Sequence, residues 1–430
     1  MRVAFVSQPR DAIVASGVQH GSVAIVTWEL ARRITEHHEV QVYAPRSPGE
    51  LREERAANGI TIRRVPRSFR LLHKILDVGT GIVDLSPPYF STGAFHREYA
   101  AEVARELARD PPDIVHVQTY AQFIPLLRRA APKARIVFQV HDELLTRVTS
   151  PAVAQRVAMA DAIVTCSDYV TQRWRERFSA SAQQIQTIGN GVDLERFRPA
   201  DAASKRRILF VGRVSPEKGV HVLAQAFERV LTEVPDAELV IVGPAGLLPW
   251  SQVSLLKDDP HVAALQRFYG HDVIDRVRKQ IVHARDGYAS AIAASVSTAT
   301  RARIETRGAV GYDEIPRLYH EAAVLAVPSL CNEPFGLPLA EAMASGLPVV
   351  ASRCGGIPEI VRPGSTGWLV ERGDVAGLAR ALRTALTEPA VTLGMRHAAR
   401  FQAEATFGWQ LAAARLTRAY QTPRTSSRSR

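Results

Sequence analysis

Short runs of aliphatic and β-branched residues alternate along almost the whole chain with longer stretches whose apolar positions recur every three or four residues. This is the signature of β-α-β units and parallel sheets. In the first half, 3–6, 40–43, 60–65, 114–118, 135–140 and 162–165 read as strands, with helical periodicity at 22–35, 94–109 and 167–178. In the second half, strands are expected at 207–211, 238–242, 324–327 and 349–351. Helices are expected at 219–231, 315–321, 337–344 and 375–386. Strands that are apolar on both faces need cover on both faces, so the pattern predicts an α/β protein with two doubly wound parallel sheets. Two such sheets facing each other across a hinge would leave a central cleft at the carboxyl ends of their strands, where ligands of this architecture bind.

Between the halves, the Asn190-Gly191 turn dipeptide and the polar stretch 198–204 mark a linker. The expected organisation is a first domain over 1–197, a second over 205–400, a helix within 401–422 long enough to return to the first domain, and a polar, unstructured tail over 423–430. The length of 430 residues supplies each domain with a sizeable core. Net charge is +11, from 54 Lys and Arg against 43 Asp and Glu. The excess is divided almost equally between the halves and forms no stripe, so nucleic acid is not an expected partner. Cys166, Cys331 and Cys354 are too few and too scattered for a metal knuckle or a disulfide framework, which points to a reducing compartment. The apolar run at 3–6 is too short for a secretory core, and no other run is long enough to span a bilayer. The expected location is cytoplasmic, at most peripheral to the inner membrane face.

Candidate chemistry collects at strand ends. Gly212-Arg213-Val214-Ser215-Pro216-Glu217-Lys218-Gly219 follows a strand and opens a helix, placing two cations five residues apart beside helix amides. Arg213 offers a planar fork and Lys218 a point charge, a pairing suited to a diphosphate, although surface cations on a solvated turn would read alike. Glu333-Pro334-Phe335-Gly336-Leu337 follows the strand at 324–327 and leads into a helix carrying Glu341. Two carboxylates around a Gly that lets backbone approach a ligand can take the paired hydroxyls of a ribose or a sugar. His141 ends the strand at 135–140 and would reach the cleft from the other side. Gly21, within 16–22, precedes a helix N-terminus suited to phosphate. No Walker lysine, dinucleotide glycine triplet, Asp-x-Asp or Gly-x-Ser-x-Gly occurs. ATPase, NAD-dependent, metal-diphosphate and nucleophile-elbow readings therefore lose support, and no metal is expected.

At these residues the chain resembles the retaining GT-B glycosyltransferases of family 4, the glycosyl transferases group 1. The resemblance runs through most of 1–420. It is strongest at 188–197, at Gly212–Gly219 and in the Glu-x7-Glu motif from Glu333 to Glu341. It implies two Rossmann-like domains, the first binding an acceptor and the second a nucleotide sugar. The activity it implies is transfer of a hexosyl group to a hydroxyl acceptor, a saccharide or a secondary metabolite, with retention of configuration and no cofactor. By the same resemblance, Gly212, Arg213 and Lys218 hold the donor diphosphate and Glu341 takes the ribose. Glu333 with the backbone of Phe335, Gly336 and Leu337 holds the sugar. The base rests near Val310 and Gly311, Gly21 contacts the distal phosphate, and His141 lies by the transferred sugar. His141, Arg213, Lys218 and Glu333 form the expected catalytic set.

Some sixty residues separate Val242-Gly243 from Gly308, where the family needs only a short connection. This insertion, about 247–300, carries Trp250, Phe268, Tyr269 and Tyr288 and two expected helices at 272–283 and 286–298. Acceptor choice or a subunit contact is its expected role. Arg63, Arg64, Arg67, Arg70 and Lys74 interleave with Leu71, Leu72, Ile75 and Leu76, a basic amphipathic stretch that could rest on an anionic membrane and reach a lipid-linked acceptor. The other readings are a nucleotide-sugar epimerase, which needs no acceptor, and a binding module without activity.

Overall fold

The computed structural model describes residues 1–15, 19, 21–66, 70–83, 85–200, 205–282 and 286–422. They form two compact units, one of residues 1–191 joined by the C-terminal stretch from Trp409, the other of residues 192–408. The first break therefore falls six residues before the expected 197, because the stretch after Gly191 is bonded to the second unit. The Val192 amide donates to the Phe407 carbonyl at 2.6 Å, and Arg400 donates to the Phe197 carbonyl at 2.7 Å. The linker residues 201–204 and the tail 423–430 lie outside the described residues.

In the first unit, strands β1 (Arg2–Val6), β2 (Glu39–Arg46), β3 (Glu53–Arg55), β4 (Thr61–Pro66), β5 (Ile114–Gln118), β6 (Arg135–Val140), β7 (Ala162–Thr165) and β8 (Ile185–Thr187) form one sheet. Its order is β3-β4-β2-β1-β5-β6-β7-β8. Every pairing is parallel except that of β3, a three-residue edge strand whose Glu-Glu-Arg sequence discourages further pairing. Val3 to Val6 are fully buried, as a central strand covered on both faces must be. The helix Trp409–Gln421 packs within this unit on the helix Ser22–Ile34 and on β7.

The second unit holds β9 (Arg207–Val211), β10 (Glu238–Val242), β11 (Ile304–Gly308), β12 (Val324–Val327), β13 (Val349–Ser352) and β14 (Gly367–Val370), all parallel, in the order β11-β10-β9-β12-β13-β14. In each sheet the chain first builds outward on one side of its first strand and then returns to the other side. The reversal lies between β1 and β5 in the first sheet and between β9 and β12 in the second, and loops leaving these strands open a crevice.

The insertion is part of the second unit's core, not an appendage: Trp250, Tyr269 and Tyr288 are buried in it with Phe227 and Leu223. Its expected helix at 272–283 is Val273–Val277 continued by a π-turn at Arg278–Val282. The one expected at 286–298 is Asp286–Ala294 followed by a short helix, Thr298–Arg301. The basic stretch divides. Arg63 and Arg64 lie in β4 and are committed to ion pairs with Glu53 at 3.2 Å and Glu54 at 2.8 Å, Arg64 being buried. They are therefore not part of an exposed basic face. Arg67 lies outside the described residues. The helix Arg70–Ile82 leaves Leu71, Leu72, Ile75 and Leu76 exposed on one face, beside Lys74. No helix among the described residues is long and apolar enough to cross a membrane.

Candidate functional site

The second sheet's reversal brings together the loops after β9 and β12, and with them the two motifs. Lys218 ends the single 3-10 turn Pro216–Lys218, and its ammonium donates to both oxygens of Glu333, at 2.7 and 2.9 Å. The Ser329 hydroxyl donates to one of the same oxygens. Burial works against both charges. The mutual attraction wins, so the Lys218 ammonium is held above its usual value and the Glu333 carboxyl below its own. Gly219, which follows, sits in the left-handed region at φ 71°, and a Cβ there would collide with the Pro328 carbonyl. That close approach seats the helix Val220–Leu231 against the end of β12.

Arg213 remains partly exposed. Its guanidinium lies 3.2 Å from Glu217, a buried carboxylate that also accepts from the Ser215 hydroxyl at 2.6 Å and from the Tyr269 hydroxyl at 3.1 Å. Glu217 is thus the hub of the β9 loop, and one of its three partners comes from the insertion. A second tie is the ion pair between Arg372 and Asp259, with Arg372 also donating to the Leu330 carbonyl at 3.2 Å. Gly355, at φ 53°, packs so closely on Glu333 that a Cβ would strike its backbone, and the Gly356 amide donates to the Glu333 carbonyl at 2.8 Å.

Beyond Glu333, Phe335 is buried edge-on to Phe407, and Gly336 at φ 99° turns the chain into the helix Leu337–Ala344. Glu341, one turn in, is buried and accepts from the Tyr312 hydroxyl at 2.7 Å and from the Tyr319 hydroxyl at 2.9 Å. Burial raises its carboxyl and the two donors offset this only in part. Each oxygen retains acceptor capacity for a hydroxyl of a bound molecule. Val310 and Gly311, half-buried, lie in the loop after β11 that carries Tyr312. Arg213, Lys218, Glu333 and Glu341 thus share one unit and one set of loops.

His141 and Gly21 belong to the first unit. His141 follows β6, is hydrogen-bonded through Nε2 to the Gln118 side chain at 2.7 Å, and is brought down to about 4 by burial, so its imidazole is neutral near pH 7. Gly21, at φ 92°, precedes the helix Ser22–Ile34; of the rest of its loop, 16–18 and 20 lie outside the described residues. His73, His96 and Glu98 bring ligand-type atoms within 4.8 Å of one another. His73 is already engaged by Tyr89 at 2.8 Å and Glu98 at 2.6 Å. Two ligands about 2 Å from a shared ion would stand farther apart than that last hydrogen bond, so the trio is arranged as a hydrogen-bonded polar cluster at the edge of the core.

Glu217, Ser329, Tyr312 and Tyr319 were not among the expected site residues, and Tyr269 was expected only as an aromatic of the insertion, not as a donor to Glu217. Glu217 lay inside a motif that had been read for its cations. No local signal marks the tyrosines, whose carboxylate partners are distant in sequence.

A Glycosyltransferase Family 4 model matches residues 23–196, and two Glycosyl transferases group 1 models match 192–276 and 266–388. Spore coat protein SA of Bacillus subtilis is 24% identical over 440 residues, covering 98% of this chain and 99% of its own length. D-inositol 3-phosphate glycosyltransferase of Streptomyces avermitilis is 32% identical over 277 residues, which are 62% of this chain and 53% of that one. The solved structure of Anabaena Alr3699/HepE in complex with UDP and glucose superposes with a TM-score of 0.68 at 18% identity, over 98% of this chain and 99% of that one, a likeness of fold.

Proposed function

We infer that the chain acts as a glycosyltransferase, since it belongs to the glycosyl transferases group 1 family and has the two Rossmann-like units of the GT-B fold. On that premise we propose that it moves a hexosyl group from a nucleoside-diphosphate sugar to a hydroxyl acceptor, a saccharide or a secondary metabolite, with retention of anomeric configuration. The observation that carries the reading is the Lys218–Glu333 pair beside Arg213 at the reversal of the second sheet. A diphosphate there meets two cations, and a sugar attached to it meets a carboxylate already held in register with one of them.

In the proposed reaction the acceptor oxygen attacks the anomeric carbon from the face the nucleotide leaves. The bond from that carbon to the phosphate oxygen breaks, and the acceptor proton passes to the departing diphosphate. Arg213 and Lys218 stabilise the charge that grows on the leaving group, in a fixed and partly dry setting where such contacts count most. Glu333 accepts hydroxyls of the sugar and Glu341 those of the ribose, the base resting near Val310 and Gly311. In the first unit His141, neutral, is the candidate acceptor for a hydrogen bond from a sugar hydroxyl. No metal is assigned, since two cationic side chains face the diphosphate and the chain has no Asp-x-Asp.

HepE is solved with UDP and glucose, so UDP-sugars head the donors to test, with GDP- and ADP-sugars beside them. A binding donor should raise the unfolding temperature by the equivalent of about 2.7 kcal/mol at a hundred times its Kd. Product from the donor that binds should keep its anomeric configuration by NMR coupling constant. Conversion of donor without acceptor would indicate the epimerase, and no shift with any nucleotide sugar would overturn the proposal. The exposed face of Leu71, Leu72, Ile75 and Leu76 favours a second reading, a peripheral membrane enzyme with a lipid-linked acceptor. Co-sedimentation with anionic vesicles that is lost in Leu72→Ser/Ile75→Ser would support it.

A further inference from the structure

His116 and Gln118 lie on one face of β5, and on the neighbouring β6, Gln139 stands opposite Gln118, two residues before His141. The helix Trp409–Gln421 contributes Tyr420 to the same group, all of it within the first unit. Four contacts join the five side chains: Tyr420 hydroxyl to His116 Nδ1 at 2.7 Å, His116 Nε2 to Gln139 Oε1 at 2.9 Å, Gln118 Nε2 to Gln139 Oε1 at 3.1 Å, and His141 Nε2 to Gln118 Oε1 at 2.7 Å. His116, Gln118 and Gln139 are wholly buried, and Tyr420 is 3% exposed. Burial holds His116 near 3 and His141 near 4, so both rings carry a single proton at neutral pH.

A neutral imidazole has one donor and one acceptor, so the members of such a chain are coupled. If Tyr420 donates to His116 Nδ1, the proton of His116 is on Nε2 and faces Gln139 Oε1. Gln118 then presents its amide nitrogen to Gln139 and its oxygen to His141, whose proton must also be on Nε2. Among the buried atoms of the five side chains, only Gln139 Nε2 is left without a partner. Reversing every donor puts both histidine protons on Nδ1, but leaves the Gln139 oxygen and the Tyr420 hydroxyl proton without partners. Both arrangements make four hydrogen bonds, but the first leaves one buried polar group unsatisfied and the second leaves two, and each such group is costly.

We infer that Tyr420 is a positioning residue that fixes the tautomer of His141 through His116, Gln139 and Gln118. His141 Nδ1 is thereby kept as an acceptor, and it has no hydrogen-bond partner among the described residues. The use of that acceptor for a sugar hydroxyl rests on the reading above; the tautomer does not. Phe at 420 keeps the packing and removes the one group that distinguishes the two arrangements, leaving each with two unsatisfied groups.

The test is two-bond 1H–15N correlation on the full chain labelled at histidine, near pH 7.5, with His116 and His141 assigned by single His→Gln variants. In the wild type both rings should be Nε2-protonated by about tenfold or more, the ratio set by one fewer unsatisfied buried group. In Tyr420→Phe both should become mixtures within about threefold of equality. Gln118→Leu should free His141 alone and leave His116 fixed, which guards against loss of the helix as the cause. A wild-type His141 protonated on Nδ1, or one that stays fully Nε2-protonated in Tyr420→Phe, would overturn the inference. If the tautomers mix while turnover with the donor is unchanged, the role assigned to His141 fails and the relay stands.

Discussion

Lys218→Ala tests whether the cation that faces the diphosphate also holds the site together. The Lys218 side chain is 25% exposed and that of Glu333 only 8%, so the substitution leaves a buried carboxylate with Ser329 as its remaining side-chain partner. Removing one member of a buried pair costs roughly 3–5 kcal/mol. The partial exposure of Lys218 lets water into the vacated side, so the lower part of that range, about 2–3 kcal/mol, is expected. In a unit of this size that is a fall of roughly 4–12 °C in unfolding temperature. Adding Glu333→Gln removes the stranded charge and should return most of the loss, while neither variant recovers donor binding. The pH dependence gives an independent sign. In the wild type the Glu333 carboxyl is held low, so the stability it adds is present above its unfolded value of 4.5 and is lost as pH falls through the folded value. Without Lys218, burial is opposed only by the Ser329 hydroxyl and the Arg213 charge and should raise that carboxyl, so the deficit of Lys218→Ala should shrink as pH falls toward 5. Urea denaturation at pH 7.5 and pH 5, with UDP titrated calorimetrically into each variant, measures all three effects. A single variant within about 0.5 kcal/mol of wild type, or a double variant less stable than the single, would refute the reasoning.

Four further outcomes follow from the same contacts. Tyr269→Phe removes a donor from Glu217 and should weaken UDP binding roughly three- to tenfold by calorimetry; unchanged affinity would detach the insertion from the diphosphate loop. Tyr319→Phe leaves one Glu341 oxygen without its buried donor and should cost about 1–3 kcal/mol in urea denaturation, whereas the partly exposed Tyr312 should cost less. Gly355→Ala forces a side chain into the left-handed region and against the Glu333 backbone, so stability and donor affinity should fall together. Acid should destabilise the wild type below pH 6.5. His116, His141 and His221 are held near 3, 4 and 4 by burial, so the unfolded chain takes up these protons first, and stability falls with pH until the folded values are reached. His116 alone should contribute on the order of 2 kcal/mol of that loss by pH 5; a flat profile between pH 7 and 5 would contradict it.

What could be read along the sequence was whatever a strand or helix writes into its own neighbours. Strands β5, β6, β7, β9, β10 and β12 fall on the expected residues because each is a compact apolar run buried on both faces. Edge strands gave no such signal: β11 reads Ile-Glu-Thr-Arg-Gly and is mostly exposed, and β3 is Glu-Glu-Arg. The helix Arg70–Ile82 appeared in sequence as a basic stretch, because its outward face carries the apolar residues that usually mark the inward one. The site divides along the same line. Arg213, Lys218, Glu333 and Glu341 stand within short segments whose glycines and prolines betray a built turn, and they were legible. Their partners were not, because contacts between Lys218 and Glu333, Glu217 and Tyr269, Glu341 and Tyr319, or His116 and Tyr420 span from about twenty to three hundred residues. Such pairs are set by strand order. The reversal between β9 and β12 puts the Lys218 turn beside the Glu333 loop, and the helix from Trp409 brings Tyr420 back to β5. Each buried charge or imidazole in these loops therefore has a partner chosen by topology, and the chemistry at Glu333 and His141 depends on residues that no local motif contains.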